Sequence, residues 1–378
     1  MAKLVYISKY PPLEGGIAAK TFWLAQALAD SGHAVHIITD PINVDPNYSI
    51  AEANQPPEIP GVFVHRADQS VPWHIPQDNH RTISLVDKAL EIIDIEKPEL
   101  IIAGYLVPYG IVAFQVSRIT GIPFVLCHGG SDIHKFLLNN IWPTILPKTL
   151  AAAKLIITDE EGRLHIERYS SRLKMLPPYV PDPTAFDIKQ RPPDKHFTLA
   201  MIGKANFYWR DKGWQQIIDI WTQLGDEFIL TIATQGVGFE DFKKYASELL
   251  GDRVIWRSFV PPWKMPDLLK SINGLFHFQN NLPFPMFSNL VLESLACGTV
   301  VISDTPDLLS IYQKHGIDLS SVETQILYLP VDKPKKAAMN LTRYFSQESN
   351  GMAWNSSPDF NSYINSFERG LLDSLSGG

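Results

Sequence analysis

The sequence predicts an α/β protein built from two parallel sheets, and three observations carry the prediction. Strand-like apolar runs alternate with helical apolar periodicity along nearly the whole chain, the pattern of sheets wrapped by helices on both faces. At 378 residues the chain exceeds one ordinary core, so two domains are expected. A proline-rich zone holding Pro177, Pro178, Pro181, Pro183, Pro192 and Pro193 separates one series of elements from the next, as a linker or crossover would.

The first series opens with a strand from Leu4 to Ser8, the turn "PPLEGG", and a helix from Ile17 to Ser31 with Phe22, Leu24, Ala25 and Leu28 at helical spacing. Gly32 ends that helix before the strand Ala34 to Thr39. The stretch from Asn43 to Asp78 is rich in proline and polar residues, with one strand at Val62 to His65. A helix from Ile83 to Glu96, the strand "ELIIAG", a helix from Gly110 to Thr120 and the strand "PFVLCH" follow.

The second series runs "FTLAMIG" (strand), Trp214 to Leu224 (helix), "FILTIAT" (strand), Phe239 to Leu249 (helix) and "RVIWRSF" (strand). It continues with the short helix "KMPDLLKSI", the strand "GLFHFQ", a helix over 288–297 and the strand "VVISD". Near the end, Phe360, Tyr363, Ile364, Phe367, Leu371 and Leu372 share one helical face, a stripe expected to bury itself on the first domain. The domains are therefore expected at 1–178 and 179–357, with 358–378 as a returning helix.

Composition narrows the function. With 33 basic against 40 acidic residues the net charge is −7, which argues against nucleic acid as the partner. Only Cys127 and Cys297 occur, far apart and without metal-ligand spacing, so neither a metal centre nor a disulfide framework is expected. The opening "MAKLVYISKYPP" lacks a signal-peptide h-region, so no leader is expected, and no apolar stretch reaches a membrane span. The expectation is a cytoplasmic chain without a transmembrane segment, peripheral membrane contact being left open.

Ligands of open parallel sheets bind beyond the carboxyl ends of strands, so the strand-to-helix turns are the places to look. Gly15-Gly16 opens a helix and lets backbone N–H groups approach an anion, though a plain tight turn explains it equally well. "CHGGSDIHKF" gathers His128, Asp132 and His134 at a strand end, either for polar chemistry near neutral pH or as structure. "MIGKANFYWRDKGW" gathers Lys204, Arg210 and Lys212 in an acidic protein, a set suited to a diphosphate or simply a solvated basic loop. Trp73, Trp142, Tyr208 and Trp209 are aromatics able to stack on sugars or to pack.

In "PFPMFSNLVLESLACGTVVISD", Glu293 is the single acid of an apolar helix whose N-cap is Ser288 or Asn289. It sits one turn inside, placed either to accept from a pair of sugar hydroxyls or simply to cap or solvate a half-buried helix. Walker, G-x-S-x-G and H-E-x-x-H motifs are absent from the sequence.

These stretches, in this order, resemble the retaining glycosyltransferases of family 4. "PPLEGGIAAKTFWLAQALADSGHAVHIIT", "HGGSDI", "KMLPPYVPDPTAF", "IGKANFYWRDKGW" and "FSNLVLESLACGTVVISD" are each similar to a family segment. The last resembles the E-x7-E signature. The resemblance implies the GT-B architecture, two facing Rossmann-like domains, and transfer of a sugar from a nucleotide-diphosphate donor, UDP- or GDP-linked, with retention of configuration. No metal or bound cofactor is implied.

It further implies that Glu293 binds the ribose hydroxyls and Lys212 the diphosphate, with Lys204 or Arg210 as second cation. The backbone from Phe287 through Ser288, Asn289 and Leu290 would cradle phosphate and sugar. Gly16 would lie beside the phosphates or the acceptor, His128 near the reacting carbon, and Gly15 and Asp132 on the acceptor side. The sequence departs from the family at the first acid of the signature, where Pro285 stands, and at the next position, Met286. A catalytically silent protein of the same fold, acting as a binding or stabilising partner, is the alternative that Pro285 favours.

Overall fold

The computed structural model describes residues 1–41, 46–50, 56–68, 78–188, 196–206, 209–251, 253–279, 282, 287–347 and 359–376. The first half runs β1 (Lys3–Ile7), α1 (Gly16–Asp30), β2 (Ala34–Thr39), β3 (Val62–Arg66), α2 (Asp78–Glu96), β4 (Leu100–Ala103) and α3 (Ile111–Thr120). It continues with β5 (Phe124–Cys127), α4 (Ile145–Ala152), β6 (Leu155–Thr158), α5 (Glu160–Ile166) and β7 (Leu173–Met175). All these strands pair in parallel, in the order β3-β2-β1-β4-β5-β6-β7. β4 and β5 are buried at every position, which is why they read as unbroken apolar runs rather than as alternating ones.

The second half runs β8 (Phe197–Lys204), α6 (Trp214–Trp221), β9 (Phe228–Gln235), α7 (Phe239–Leu250), β10 (Val254–Arg257), α8 (Met265–Ser271) and β11 (Gly274–His277). α9 (Asn289–Ala296), β12 (Val300–Ser303), α10 (Leu308–Lys314), β13 (Ile326–Tyr328), α11 (Pro334–Ser346) and α12 (Phe360–Ser376) complete it. Its sheet is also parallel, in the order β10-β9-β8-β11-β12-β13. The strand order reverses between β1 and β4 in one sheet and between β8 and β11 in the other. Each reversal opens a crevice beyond the strand ends.

The described part of the proline-rich zone, residues 177–188, is not a solvated tether; Pro192 and Pro193 lie outside the described residues. Leu176, Tyr179, Val180 and Phe186 are buried in one apolar cluster with side chains of α1, α8, α9 and α12. Trp23 of α1 meets Phe186 edge-on at 5.4 Å, and Phe22 meets Trp263 at 5.3 Å. The cluster therefore joins the two sheets.

α12 returns to the first sheet as its apolar stripe requires. Tyr363, Ile364, Phe367 and Leu371 are buried, Gly370 lies against Leu155 of β6, and Glu368 bonds His33 at 2.9 Å. Leu372, expected in the same stripe, is 37% exposed. Among the described residues no helix is long and apolar enough to cross a membrane.

Candidate active site

Both crevices open into one cavity of about 700 Å³. One wall carries Gly15, Gly16, Lys20, Tyr105 and His128, and the other Lys204, Lys212, His277, Asn289 and Glu293. The wall residues follow from the topology, since β1, β4 and β5 end on one side, and β8 and β11 on the other.

The turn after β1 depends on Gly15, whose φ of 113° is unfavourable for a side chain. α1 starts there without a capping side chain. Across the cavity α9 starts at Ser288, which occupies the N-cap position, yet its side chain makes no capping bond. Both helices thus leave first-turn N–H groups without a side-chain cap, the arrangement that receives an anion. Asn289 Nδ2 donates to the Gly16 carbonyl at 3.1 Å and ties the two helix starts together.

Glu293 is 4% exposed and accepts from the Tyr179 hydroxyl at 3.0 Å. Burial lifts its carboxyl to about 7, although the Tyr179 bond pulls the other way. Lys212 donates to the Lys204 carbonyl at 3.0 Å. Burial, and then the neighbouring Lys204, lower its ammonium to about 8.

Lys204 pairs with Glu14, which also faces Lys9 at 3.6 Å. The basic turn of one half is thus neutralised by a carboxylate from the Gly-Gly turn of the other. His277 lines the same wall, and burial followed by repulsion from Lys212 takes its imidazole down to about 4.

His128 borders the cavity, with both ring nitrogens committed. Nδ1 accepts from the Gly130 N–H at 3.1 Å, so the neutral ring carries its proton on Nε2 and gives it to Thr158 Oγ1 at 2.7 Å. Burial lowers its pKa further, so the ring is neutral. The ring sits directly over Gly162 of α5, where a Cβ would come within 2.6 Å of it.

Of the residues singled out in the sequence, Gly15, Gly16, His128, Lys204, Lys212, Phe287, Ser288, Asn289, Leu290 and Glu293 all line the cavity. Arg210 does not. It bonds Asp241 at 3.1 Å and stacks on Trp209 at 4.0 Å, away from the cavity. Asp132 is fully buried rather than presented to a ligand: it accepts from the backbone N–H groups of Leu106, Gly129 and Ile133 and so fixes the loop after β5. Trp209 packs against Phe242 and Tyr245 and is 1% exposed. Trp142 stacks on Phe136. Pro285, Met286, Trp73 and Tyr208 lie outside the described residues.

Lys9, Glu14, Lys20 and His277 also line the cavity and went unread in the sequence. Lys20 had a legible signal, because it shares the buried face of α1 with Trp23 and Leu24 at i+3 and i+4. A second, smaller cavity of about 90 Å³ shares Ser131 and Phe287 with the first. It adjoins the bond between His315 and Asp159, 2.9 Å long, which links the two halves.

Residues 15–159 match the family model of a glycosyl transferase 4-like domain. Among solved structures, the sucrose-phosphate synthase of Thermosynechococcus elongatus is similar with a TM-score of 0.67 at 16% identity, over 100% of this chain and 94% of that one. Anabaena HepE in complex with UDP and glucose gives 0.60 at 14% identity, over 99% of this chain and 100% of that one. WaaG, a glycosyltransferase involved in lipopolysaccharide biosynthesis, gives 0.58 at 13% identity, over 98% and 95%.

No curated protein matches by sequence. The chain has the GT-B architecture of these structures, and the match to the domain model bears out its resemblance to glycosyltransferases of family 4.

Proposed function

We propose that this chain is a retaining glycosyltransferase, moving a sugar from a UDP- or GDP-linked donor to an acceptor. The observation that carries the reading is the facing arrangement of Glu293, the Lys204–Lys212 pair and the bare start of α9 on one wall of a 700 Å³ cavity. Glu293 accepts from the ribose hydroxyls, while Lys212 and Lys204 take the diphosphate. The N–H groups of Phe287, Asn289 and Leu290 face its oxygens, that of Ser288 being held by the Tyr312 hydroxyl at 3.2 Å.

As the sugar's bond to the diphosphate breaks, negative charge grows on the departing phosphate. Two ammonium groups and a helix N-terminus, fixed beforehand in a partly dry site, stabilise that charge without an added metal. His128 shapes the sugar side through its ring edge, its nitrogens being committed to Thr158 and Gly130. Gly15 and Gly16 border the acceptor side. Residues 1–178 and 179–357 act as acceptor-side and donor-side domains, with 358–378 bracing the first, in a cytoplasmic enzyme.

The domain-model match and the UDP held by the similar HepE support this reading. Calorimetric titration with UDP and GDP tests it, and binding of neither overturns it. Nucleotide binding without turnover of any sugar donor assigns the silent reading that Pro285 favours.

A further inference from the structure

Lys20 lies on α1, 7% exposed, in the cavity wall with His128 and Gly129. Among the described residues its ammonium has no hydrogen bond and no ion pair. The Cys127 thiol, Asp159 and Asp132 act on it only from a distance; burial lifts the thiol to about 11, and both carboxylates are committed elsewhere. Asp132 holds three backbone N–H groups, and Asp159 holds His315 and the Gly162 N–H.

A buried ammonium without a partner is costly, and burial lowers its pKa. An arriving anion would restore both its charge and its partner. Helical side chains slant toward the helix N-terminus, so Lys20 leans over the turn that begins at Gly16, where α1 has neither a capping side chain nor an acidic residue. The diphosphate already has Lys204, Lys212 and the start of α9 on the opposite wall. Lys20 stands instead beside His128, on the sugar side.

We infer that Lys20 and the start of α1 form a subsite for a second anionic group, a carboxylate or phosphate borne by the transferred sugar or by the acceptor. The inference rests on the nucleotide-sugar reading of the cavity. Its consequence is selectivity: acidic substrates are preferred over neutral ones of the same shape.

Calorimetry on the full chain at pH 7 tests it. UDP alone is titrated first, then UDP-glucose against UDP-glucuronate for the donor arm. With UDP saturating, glucose is then compared with glucuronate and with glucose 6-phosphate for the acceptor arm. In one arm the acidic ligand is expected to bind about tenfold or more tightly than its neutral partner, the size of a charge-assisted contact. Lys20→Gln should remove that preference and leave UDP affinity within about twofold, while Lys20→Arg, which keeps the charge, retains part of the preference.

The thermal midpoint of each variant reports its folding. UDP binding with no acidic preference in either arm, or a preference that survives Lys20→Gln, overturns the inference alone. Failure of both UDP and GDP to bind overturns the nucleotide reading and the inference with it.

Discussion

The Tyr179 hydroxyl donates to Glu293 Oε1 over 3.0 Å, both side chains being buried. Tyr179 lies on the crossover between the sheets and Glu293 on α9, so the chain that joins the halves also orients the carboxylate. Without ligand, burial leaves Glu293 poised near pH 7. Two ribose hydroxyls would donate to the ionised form and favour it. Glu293→Ala is expected to weaken UDP binding by a factor of about 30 or more, from two lost bonds to a charged acceptor. Tyr179→Phe should weaken it by only a few-fold, read in the same titration. Equal affinity in wild type and Glu293→Ala rules out the ribose contact.

The same carboxylate predicts a pH signature in stability. Its folded-state pKa, about 7, lies above the ~4.3 of an unfolded glutamate. Its contribution is therefore whole below about pH 4 and is lost as the pH rises through 7. Glu293→Gln, uncharged throughout, should match wild type near pH 4 and exceed it by about 3 kcal/mol at pH 8. Urea unfolding at the two pH values reads the difference, and parallel curves would mean that the carboxyl is not held neutral.

Lys212 must be protonated to meet a diphosphate, and burial takes its ammonium to about 8 in the empty protein. UDP affinity should accordingly fall as pH rises beyond 8. Between pH 8 and 9, binding should draw in a proton, visible as a binding enthalpy that changes with the buffer's ionisation heat. Lys212→Ala is expected to lower affinity about tenfold to a hundredfold at pH 7 and to flatten the pH profile. A profile unchanged by the substitution assigns the titration to another group.

Glu14 occupies Lys204 and faces Lys9 while the site is empty, so donor phosphates must compete with it. Glu14→Gln should tighten UDP binding by about threefold to tenfold, a modest gain because Lys204 is 26% exposed and its pair is partly screened. Weaker binding in Glu14→Gln would instead make Glu14 a ligand contact.

Much of the fold was legible because apolar runs in a doubly wrapped sheet have few alternatives. β6 and β7 escaped since they are short, and β7 carries Lys174 at its centre. β13, three residues long, escaped likewise. At the site, Glu293 and Lys212 were legible because each is a charge beside an apolar element. Arg210 and Asp132 misled, because a sequence gives a residue's type and neighbourhood but not its direction. Arg210 turns to Trp209 and Asp241, and Asp132 turns inward to backbone N–H groups. The proline-rich zone read as a linker or a crossover because proline marks both tethers and buried extended chain; only the apolar Tyr179, Val180 and Phe186 distinguish the second.

α12 brings the end of the chain back to the first sheet, and Phe367 is its fully buried anchor. It packs with Tyr363 at 6.4 Å between ring centroids, inside the cluster that includes Val125, Ile157 and the crossover. Truncating such a ring removes its transfer energy and leaves a cavity. Phe367→Ala should therefore destabilise the protein by about 3–5 kcal/mol. Met339→Ala on α11, where the side chain is 63% exposed, should change stability by no more than about 0.5 kcal/mol. Because no described residue of α12 lines the cavity, UDP affinity of folded Phe367→Ala should match wild type. Urea unfolding paired with titration separates the two effects. Lost affinity at full folding would show that α12 also sets the spacing of Tyr179 and Glu293, through the cluster that Tyr179 and the apolar side chains of α9 share with it.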